Sequence, residues 1–435
     1  MPSKKPTGPR SGVITPDDFW TVRPMLAALH QFARARMVGP WAMLGIVLVR
    51  AVTVVPPSVV LPPIVGSHAS LNQFVALVGS SSGGKGAANS AARDFLDVTP
   101  EPYARPLGSG EGLVKSYAHK QKGIQYNDRW SVLFTVPEVD TLTALGARQG
   151  ATLLPQLRSA WSGEQLGHSY SDDAKGVVLE DHRYRLALTL GVQPHRAGPL
   201  LNDADGGTPQ RFIWMPTADP GAPDDAPEEP EPWSLPAWQA EKPDAPTHLL
   251  DTPAKAKHFV QVELPPEVVE FIRASRRDDL RSGDATLGAH SVLTREKVAA
   301  AFMVLDGRRD KVSSEDWDLA GVVMEVSERT RAEVAAALAE RERESAQARG
   351  RSDAVRNRAA QDETTRADIV RAQVEAAIGR HLSVAGELSK RDLRKKQKLE
   401  RREVFDSVFN DMKKAGDFSH RTEGKSVLYR FPEDS

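Results

Sequence analysis

The sequence contains no cysteine, which excludes disulfide bonds, thiolate metal sites and cysteine nucleophiles. Long hydrophobic runs are also missing. The most apolar stretch, residues 43–55, includes Arg50 and ends before Pro56, so it is shorter than the roughly 20 residues that a membrane span requires. The first residues are polar and lack the apolar part of a secretory signal. We therefore expect a cytoplasmic protein with no membrane partner, in which residues 43–55 form a buried helix or strand.

An excess of charge is absent as well, because 57 basic and 58 acidic side chains give a formal net charge of −1. No global positive field therefore attracts the whole molecule to nucleic acid or anionic lipid. Any contact with DNA must come from a local basic patch. The chain of 435 residues is too long for one ordinary core, and its length indicates two or three domains.

Three short apolar runs predict buried strands at residues 73–78, 131–136 and 185–192. Helical stretches separate them, and this alternation is typical of an α/β core with a mainly parallel sheet. Before the core, the sequence from Ile14 to Phe19 has the Thr, Pro and Asp pattern of a helix start. Residues 15–55 are therefore predicted to be largely helical.

A glycine-rich motif follows the first predicted strand and precedes helix-forming residues 87–95. It matches the G-x-x-x-x-G-K pattern of a Walker A loop, in which backbone amides, a lysine and a helix N-terminus surround phosphate oxygens. The alternative is a Gly/Ser hairpin or linker with an incidental lysine. The predicted nucleotide-binding residues are Gly79, Ser80, Ser81, Ser82, Gly83, Gly84, Lys85 and Gly86.

The second predicted strand leads into Pro137, Glu138 and Asp140, where a P-loop ATPase carries acids for metal binding and water activation. We interpret Glu138 as the general base and Asp140 as a residue that reaches Mg²⁺ through water. Gly86 lacks the hydroxyl that usually binds Mg²⁺, and Pro137 occupies the position of the metal-binding aspartate. No other protein ligand for the metal is assigned. As an alternative, both acids fit the cap of a helix that begins near Thr141.

Three further polar residues are candidates for the catalytic site. Gln193 follows the third strand, where its amide either senses the γ-phosphate or satisfies buried backbone groups. Arg211 begins an apolar segment from which an arginine can reach a neighbouring subunit's nucleotide, and a surface salt bridge is its alternative role. Arg295 is predicted in the first turn of a helix capped by Thr294, where it would close a lid over the phosphates. His290 has no second histidine at metal-ligand spacing, so we assign it no metal.

The second half of the chain changes in composition. Residues 216–232 contain six prolines and six acids and are predicted to form no regular structure. Beyond them, apolar residues at helical spacing predict a small bundle with a second helix that starts at Ser313 or Ser314. Residues 328–365 are typical of a long solvated helix or a flexible arm. The remaining residues predict three helices followed by a strand, a turn at residues 421–425 and a strand, which is the order of a winged helix.

Residues 388–402 carry eight basic side chains and two acids, which gives a local net charge of +6. Phosphate contacts with DNA are a natural use of such a patch. A basic face on a protein-binding winged helix is the alternative. The predicted DNA-binding residues are Lys395, Lys396, Lys398, Arg401, Arg402 and Lys425.

Together, short segments along the chain form a recognisable set: Phe19-Trp20, Ser70-Leu71-Asn72, Lys85-Gly86, Glu138-Val139-Asp140, Gly191-Val192-Gln193-Pro194 and Gln210-Arg211-Phe212. This set resembles the helicase-like P-loop ATPases of phages and actinobacterial mobile elements, relatives of hexameric superfamily 3 and MCM-type AAA+ motors, over roughly residues 15–325. The resemblance implies that Lys85 holds phosphate, Glu138 activates water, Gln193 acts as sensor, and Arg211 and Arg295 complete a site shared between subunits.

The first hypothesis is an ATP-driven DNA translocase or helicase that forms a homo-oligomeric ring, uses ATP and Mg²⁺, and works beside a primase-polymerase partner. The second is an ATP-gated DNA-binding initiator or loader that hydrolyses ATP poorly, which Gly86 and Pro137 favour. A transcription regulator is the third.

The predicted order of domains is an N-terminal helical segment (1–65), a P-loop ATPase core (66–216), a Pro/acid-rich linker (217–250), a helical lid (251–330), a charged helical linker (331–366) and a winged-helix DNA-binding domain (367–435).

Overall fold

The computed structural model describes residues 14–16, 18–146, 152–167, 176–203, 206–238, 259–282 and 288–432. The chain divides into two compact units, Met1–Arg341 and Glu342–Ser435. Within the described residues, no helix has both the length and the apolarity needed to cross a bilayer.

The helices of both units are numbered in chain order. They are α1 (Pro24–Ala35), α2 (Pro40–Thr53), α3 (Lys85–Phe95), α4 (Gly110–Lys115), α5 (Val139–Gly146), α6 (Leu153–Ser162), α7 (Gly198–Leu201), α8 (Pro266–Ser282), α9 (Gly288–Leu305), α10 (Ser314–Ala385), α11 (Lys390–Lys395) and α12 (Arg402–Ala415).

The strands form one larger sheet and several small ones. They are β1 (Val59–Leu61), β2 (Ala69–Ser70), β3 (Gln73–Val78), β4 (Leu96–Asp97), β5 (Ala104–Pro106), β6 (Ala118–Gln121), β7 (Ile124–Asn127), β8 (Ser131–Val136), β9 (Leu166–Gly167), β10 (Val178–Leu179), β11 (Arg185–Val192), β12 (Phe212–Pro216), β13 (Trp233–Ser234), β14 (Val260–Gln261), β15 (Leu388–Ser389), β16 (Ser419–Glu423) and β17 (Ser426–Arg430).

A five-stranded sheet in the order β12-β3-β11-β8-β5 forms the centre of the first unit, and its neighbouring strands are parallel. The predicted strands at residues 73–78, 131–136 and 185–192 are β3, β8 and β11, so all three predictions are confirmed. The α/β core with a mainly parallel sheet is therefore present. Because the strands are parallel, the loops that follow β3, β11 and β8 all leave from the same edge of the sheet.

The helix α2 covers one face of this sheet and is buried on all sides. All of its 14 residues except Trp41 are buried. Its apolar side chains share a hydrophobic core with Val75 of β3, Ile213 of β12 and Phe302 of α9. A helix that is apolar all around is typical of a protein interior. The predicted buried stretch at residues 43–55 is thus mainly helical.

A fully buried arginine joins this helix to the sheet. Arg185 begins β11, and its guanidinium donates to the carbonyl oxygens of Val55, Pro56 and Val59, at 3.1, 2.8 and 3.0 Å. It also donates to Ser70 Oγ at 2.9 Å. No carboxylate among the described residues forms an ion pair with it, and burial lowers the pKa of Arg185 to about 9.

Two predicted helix starts are wrong. Near residue 15, the Thr15 hydroxyl accepts from the amide of Asp18, but only a single 3₁₀ turn follows, and α1 begins at Pro24. Thr294 does not cap a helix, because α9 begins at Gly288. The Thr294 hydroxyl instead donates to the His290 carbonyl, 2.7 Å away in the preceding turn. The second predicted helix of this region does start at Ser314.

Pro216 ends β12, and the rest of the Pro/acid-rich segment, residues 217–232, contains no helix or strand, as predicted. It lies along α1, where Arg34 forms an ion pair with Asp219 at 2.9 Å and Arg36 forms one with Glu229. The Gln31 amide also donates to the carbonyl of Glu228 at 2.7 Å. Residues 239–250 of the predicted linker lie outside the described residues.

The second unit combines the end of α10 with α11, α12 and the antiparallel sheet β15-β17-β16. Ser389 caps α11 by accepting from the Asp392 amide, and Gly416 ends α12 with a φ of +88°, both as predicted. The hairpin turn consists of two residues between β16 and β17 and is shorter than predicted. Phe405, Phe409 and Tyr429 form the centre of its small core.

Candidate functional site

The glycine-rich loop lies between β3 and α3, so it is not a hairpin, and its role in nucleotide binding stays a prediction. Gly84 immediately precedes α3 with a φ of +77°, a left-handed conformation that favours glycine. The first turn of α3 contains no acidic residue. No backbone hydrogen bond links the amides of Lys85, Gly86 or Ala87 to another described residue. The loop therefore presents free N–H groups and the positive end of a helix dipole to an anion.

The lysine of the motif is mostly buried at the start of α3. The Lys85 ammonium donates to the carbonyl oxygens of Gly79, at 3.2 Å, and Ser80, at 2.6 Å. Its Nζ also lies 3.8 Å from Oε1 of Glu138. The ammonium is thus held between carbonyl oxygens of the loop and the carboxylate of Glu138.

Glu138 and Gln193 meet at the same edge of the sheet. The Gln193 amide donates to Oε2 of Glu138 at 2.9 Å. The strand β11 lies between β3 and β8, so its end places Gln193 between the loop and the acid. Gln193 therefore contacts a carboxylate, and the alternative in which its side chain satisfies buried backbone is wrong. Lys85, Glu138 and Gln193 form one connected group.

Asp140 is engaged elsewhere. It lies in the first turn of α5, which begins at Val139 rather than near Thr141, and it forms an ion pair with Arg196. Both partners of this pair are about half exposed. Among the described residues there is no group of three or more metal-ligating side chains. The carboxylates at this edge are Glu138 and Asp140, and Asp140 would have to leave Arg196 to reach a metal ion.

The sequence analysis did not assign a role to Gly191 or Thr217, which border the site. A Cβ atom at Gly191 would lie 1.9 Å from the carbonyl oxygen of Pro137 and 3.3 Å from Cε of Lys85, so only glycine fits there. The Thr217 hydroxyl donates to the Val78 carbonyl at 3.1 Å and occupies the space beside Gly79. A glycine inside a strand is a known sign of close backbone approach, and this signal was available at Gly191.

Arg211 lies at the opposite edge of the sheet. It immediately precedes β12, whose first residue pairs with Phe74 near the start of β3. The six residues of β3 span about 20 Å, so Arg211 does not reach the loop of its own chain. Its guanidinium donates to the Gly206 carbonyl at 2.9 Å and lies 5.4 Å from the ring of Trp161. It forms no salt bridge with a described residue, and burial lowers its pKa.

Arg295 is also remote from the loop. It lies two turns into α9 rather than in the first turn, which corrects its predicted position. Its guanidinium stacks on the ring of Trp317 at 4.0 Å and donates twice to the Trp317 carbonyl, at 3.1 and 2.9 Å. Burial lowers the pKa of Arg295 to about 10. A role for Arg295 or Arg211 in a neighbouring subunit's site stays a prediction.

Two buried charged residues follow Arg295 in α9. The Lys297 ammonium donates to the carbonyls of Asn72 and Trp161 and lies 3.6 Å from the Trp161 ring centre. Glu296 is 5% exposed, and burial raises the pKa of its carboxyl group to about 8.

This shift predicts a specific pH dependence of stability. Because the folded protein holds the Glu296 proton up to about pH 8, whereas the unfolded chain releases it near pH 4.5, this group lowers the free energy of unfolding as pH rises through that window. At pH 8.5 we expect Glu296→Gln to have a higher free energy of unfolding than the unmodified chain. The difference between the two proteins should be roughly 2–4 kcal/mol more favourable to the variant at pH 8.5 than at pH 5. Urea titrations followed by tryptophan fluorescence measure this difference. A constant difference across pH would contradict the burial argument.

The basic residues of the second unit fall into two groups. Lys395, Lys396, Lys398 and Lys425 are exposed, and their side chains form no hydrogen bond or ion pair with another described residue. In contrast, the Arg402 guanidinium donates to the carbonyls of Gln397 and Lys395, at 3.1 and 2.9 Å, and Arg401 donates to Oε1 of Gln373. The four lysines are therefore the more available charges.

Comparisons with known proteins add little. No family model matches the sequence, and the comparison with curated proteins found no match. A full-length MCM homologue from Methanopyrus kandleri is a distant structural neighbour, with a TM-score of 0.37 and 12% sequence identity. The match covers 75% of this chain and 63% of that chain, which is less than two thirds of the homologue's length. At this TM-score the likeness carries no argument about function, and membership of the phage and mobile-element family stays a prediction.

Proposed function

We propose that this chain binds ATP in the loop Gly79–Gly86 and hydrolyses it to act on DNA, as a translocase or helicase. The observation that carries the proposal is the connected group of Lys85, Glu138 and Gln193 beside a phosphate-binding loop. An isolated loop motif would support anion binding alone. A carboxylate held by a neutral amide next to the phosphate lysine adds a group that is able to orient an attacking water.

Each residue of the group has a distinct task in the proposed reaction. The loop amides and the Lys85 ammonium bind the β- and γ-phosphate oxygens, which moves the ammonium away from the Gly79 and Ser80 carbonyls. Glu138 accepts the hydrogen bond of the attacking water, and Gln193 holds the carboxylate in place through its amide. When bound, Mg²⁺ would neutralise the phosphate charge. With no hydroxyl at Gly86, we expect phosphate oxygens and water to supply most of its ligands.

DNA binding is proposed for the second unit as a winged helix. Its order of helices and hairpin, together with exposed lysines at positions 395, 396, 398 and 425, supports phosphate contacts. A homo-oligomeric ring is proposed for the first unit from the family resemblance. Arg211 lies at the sheet edge away from its own loop, and it would have to leave the Gly206 carbonyl to reach another subunit's nucleotide. A primase-polymerase partner remains an expectation from the family resemblance.

The decisive experiment measures ATP turnover by the full chain with and without single-stranded DNA. We expect single-stranded DNA to stimulate turnover, and Glu138→Gln to lower it by roughly 100-fold or more while ATP still binds, since a general base contributes at least this factor. Glu101→Gln is the matched control, because that side chain pairs with Arg50 outside the site. Tight ATP binding without turnover in the unmodified protein would contradict the motor.

That outcome would instead support a second candidate, an ATP-gated DNA-binding initiator or loader. Two observations favour it. Gly86 supplies no hydroxyl to a metal, and Asp140 is paired with Arg196 rather than directed to the loop. In this candidate, nucleotide binding alone changes the affinity for DNA, so DNA binding would depend on ATP but not on its hydrolysis.

Gly86 offers a test of the metal argument. An ideal Cβ atom at Gly86 would meet no atom within 4 Å, so a side chain fits without rearrangement. We expect Gly86→Ser to raise Mg²⁺-dependent turnover by roughly 10-fold, because its hydroxyl adds a metal ligand. Gly86→Ala is the control, since it adds the same Cβ and helix propensity without the hydroxyl. An equal rate for the two variants would show that the missing hydroxyl does not limit hydrolysis.

A further inference from the structure

A cavity of about 190 Å³ lies away from the nucleotide loop, between α8, α9 and the chain that follows β1. Apolar side chains form much of its wall, including Pro62, Ile64, Ile272 and Leu293. An apolar cavity of about 150 Å³ is large enough for a benzene ring. This cavity therefore has room for one ring and a short polar group.

A buried carboxyl group in the wall has no partner among the described residues. The Glu296 side chain lines the cavity, is 5% exposed, and forms no hydrogen bond or ion pair with any described residue. The neighbouring Lys297 is directed away from it, towards the carbonyls of Asn72 and Trp161. Burying a carboxyl group without a partner is costly, and such a group is stabilised when a bound cation or donor reaches it.

The other titratable residues of the wall determine which charge on a ligand the cavity favours. Arg276 and Asp279 in α8 contribute opposite formal charges, and burial together with Arg211 and Lys297 lowers the pKa of His290 to about 4, which keeps its ring neutral. Burial raises the pKa of Glu296 to about 8, so without a cation the formal charges of the wall sum to zero at neutral pH, and they sum to −1 once Glu296 ionises beside a bound cation. A monovalent cation complements this wall better than an anion or a dication.

We propose that the cavity binds a small organic cation, in which an apolar body of about one ring fills the space between α8 and α9 and a protonated amine pairs with Glu296. This site is independent of the proposed ATPase. It assigns a ligand to the unpartnered carboxyl group of Glu296.

The test uses benzylamine, which is protonated at neutral pH, and benzyl alcohol as a neutral probe of the same shape, each titrated calorimetrically into the full chain. We expect benzylamine to bind at least about 10-fold more tightly than benzyl alcohol, because only the amine forms a charge-assisted hydrogen bond. In Glu296→Gln, the affinity for benzylamine should fall by about the same factor while that for benzyl alcohol stays the same.

A second variant, Leu293→Trp, fills the cavity and should abolish binding of both probes, which locates the site without altering the charge. Far-ultraviolet circular dichroism verifies that each variant is folded. The proposal is overturned if neither probe binds, if benzyl alcohol binds as tightly as benzylamine, or if Glu296→Gln leaves the affinity for benzylamine unchanged.

Discussion

Replacing Lys85 by alanine is expected to weaken ATP binding by at least about 30-fold and to abolish measurable turnover. The ammonium is the one cationic side chain that lies within 4 Å of both the loop carbonyls and Glu138 among the described residues. Its removal also leaves Glu138 without a nearby positive charge, which raises the cost of placing a triphosphate beside that carboxylate. Titration of a fluorescent ATP analogue measures the affinity.

Lys115→Ala serves as the matched control for this change. Lys115 lies in α4, has a side chain that is 58% exposed, and pairs with Glu111 within its own helix. We expect this variant to bind ATP like the unmodified chain. If Lys85→Ala retained full affinity, the loop would not be a phosphate site, and both the motor and the ATP-gated loader would be wrong.

The second large effect concerns stability. Arg185→Met is expected to lower the free energy of unfolding of the first unit by roughly 3–5 kcal/mol, which is typical of breaking a buried charged network. The substitution keeps much of the side-chain volume but leaves three carbonyl oxygens and the Ser70 hydroxyl without their donor. Urea unfolding followed by tryptophan fluorescence measures the loss.

Arg93→Ala is the control for Arg185, because Arg93 is 61% exposed and lies 3.9 Å from Asp94 on the surface of α3. We expect a change within about 0.5 kcal/mol for this variant. A similarly small effect for Arg185→Met would mean that water replaces the lost donors, and the arginine would then not hold α2 to the sheet.

Much of the core could be predicted from sequence because its central strands are largely buried. Residues 73–78, 131–136 and 185–192 are mostly apolar, and short segments of this composition favour buried strands. The start of α9 could not be predicted in this way. Threonine is a common capping residue, but the Thr294 hydroxyl is equally able to bond a carbonyl in the preceding turn of a helix. The packing of α9 against α2 favours the second arrangement.

The residues of the site also divide into those whose positions the sequence predicts and those whose positions it does not. Lys85, Glu138 and Gln193 each follow a predicted strand, so the rule that parallel strands end at one edge was enough to bring them together. The pair of Asp140 with Arg196 and the stack of Arg295 on Trp317 depend on where loops and helices pack. Sequence spacing contains no information on such contacts, and these are the residues whose roles the sequence described least well.

The burial of α2 has a consequence for how this molecule can be divided. Almost all residues of α2 are buried, and Arg185 of β11 bonds the chain just after its end, so α2 is an integral part of the α/β core and not an accessory placed before it. Deletion boundaries for a minimal nucleotide-binding fragment must therefore lie upstream of residue 40. For the same reason, a chimera of two related chains should take α2 and the sheet from the same parent.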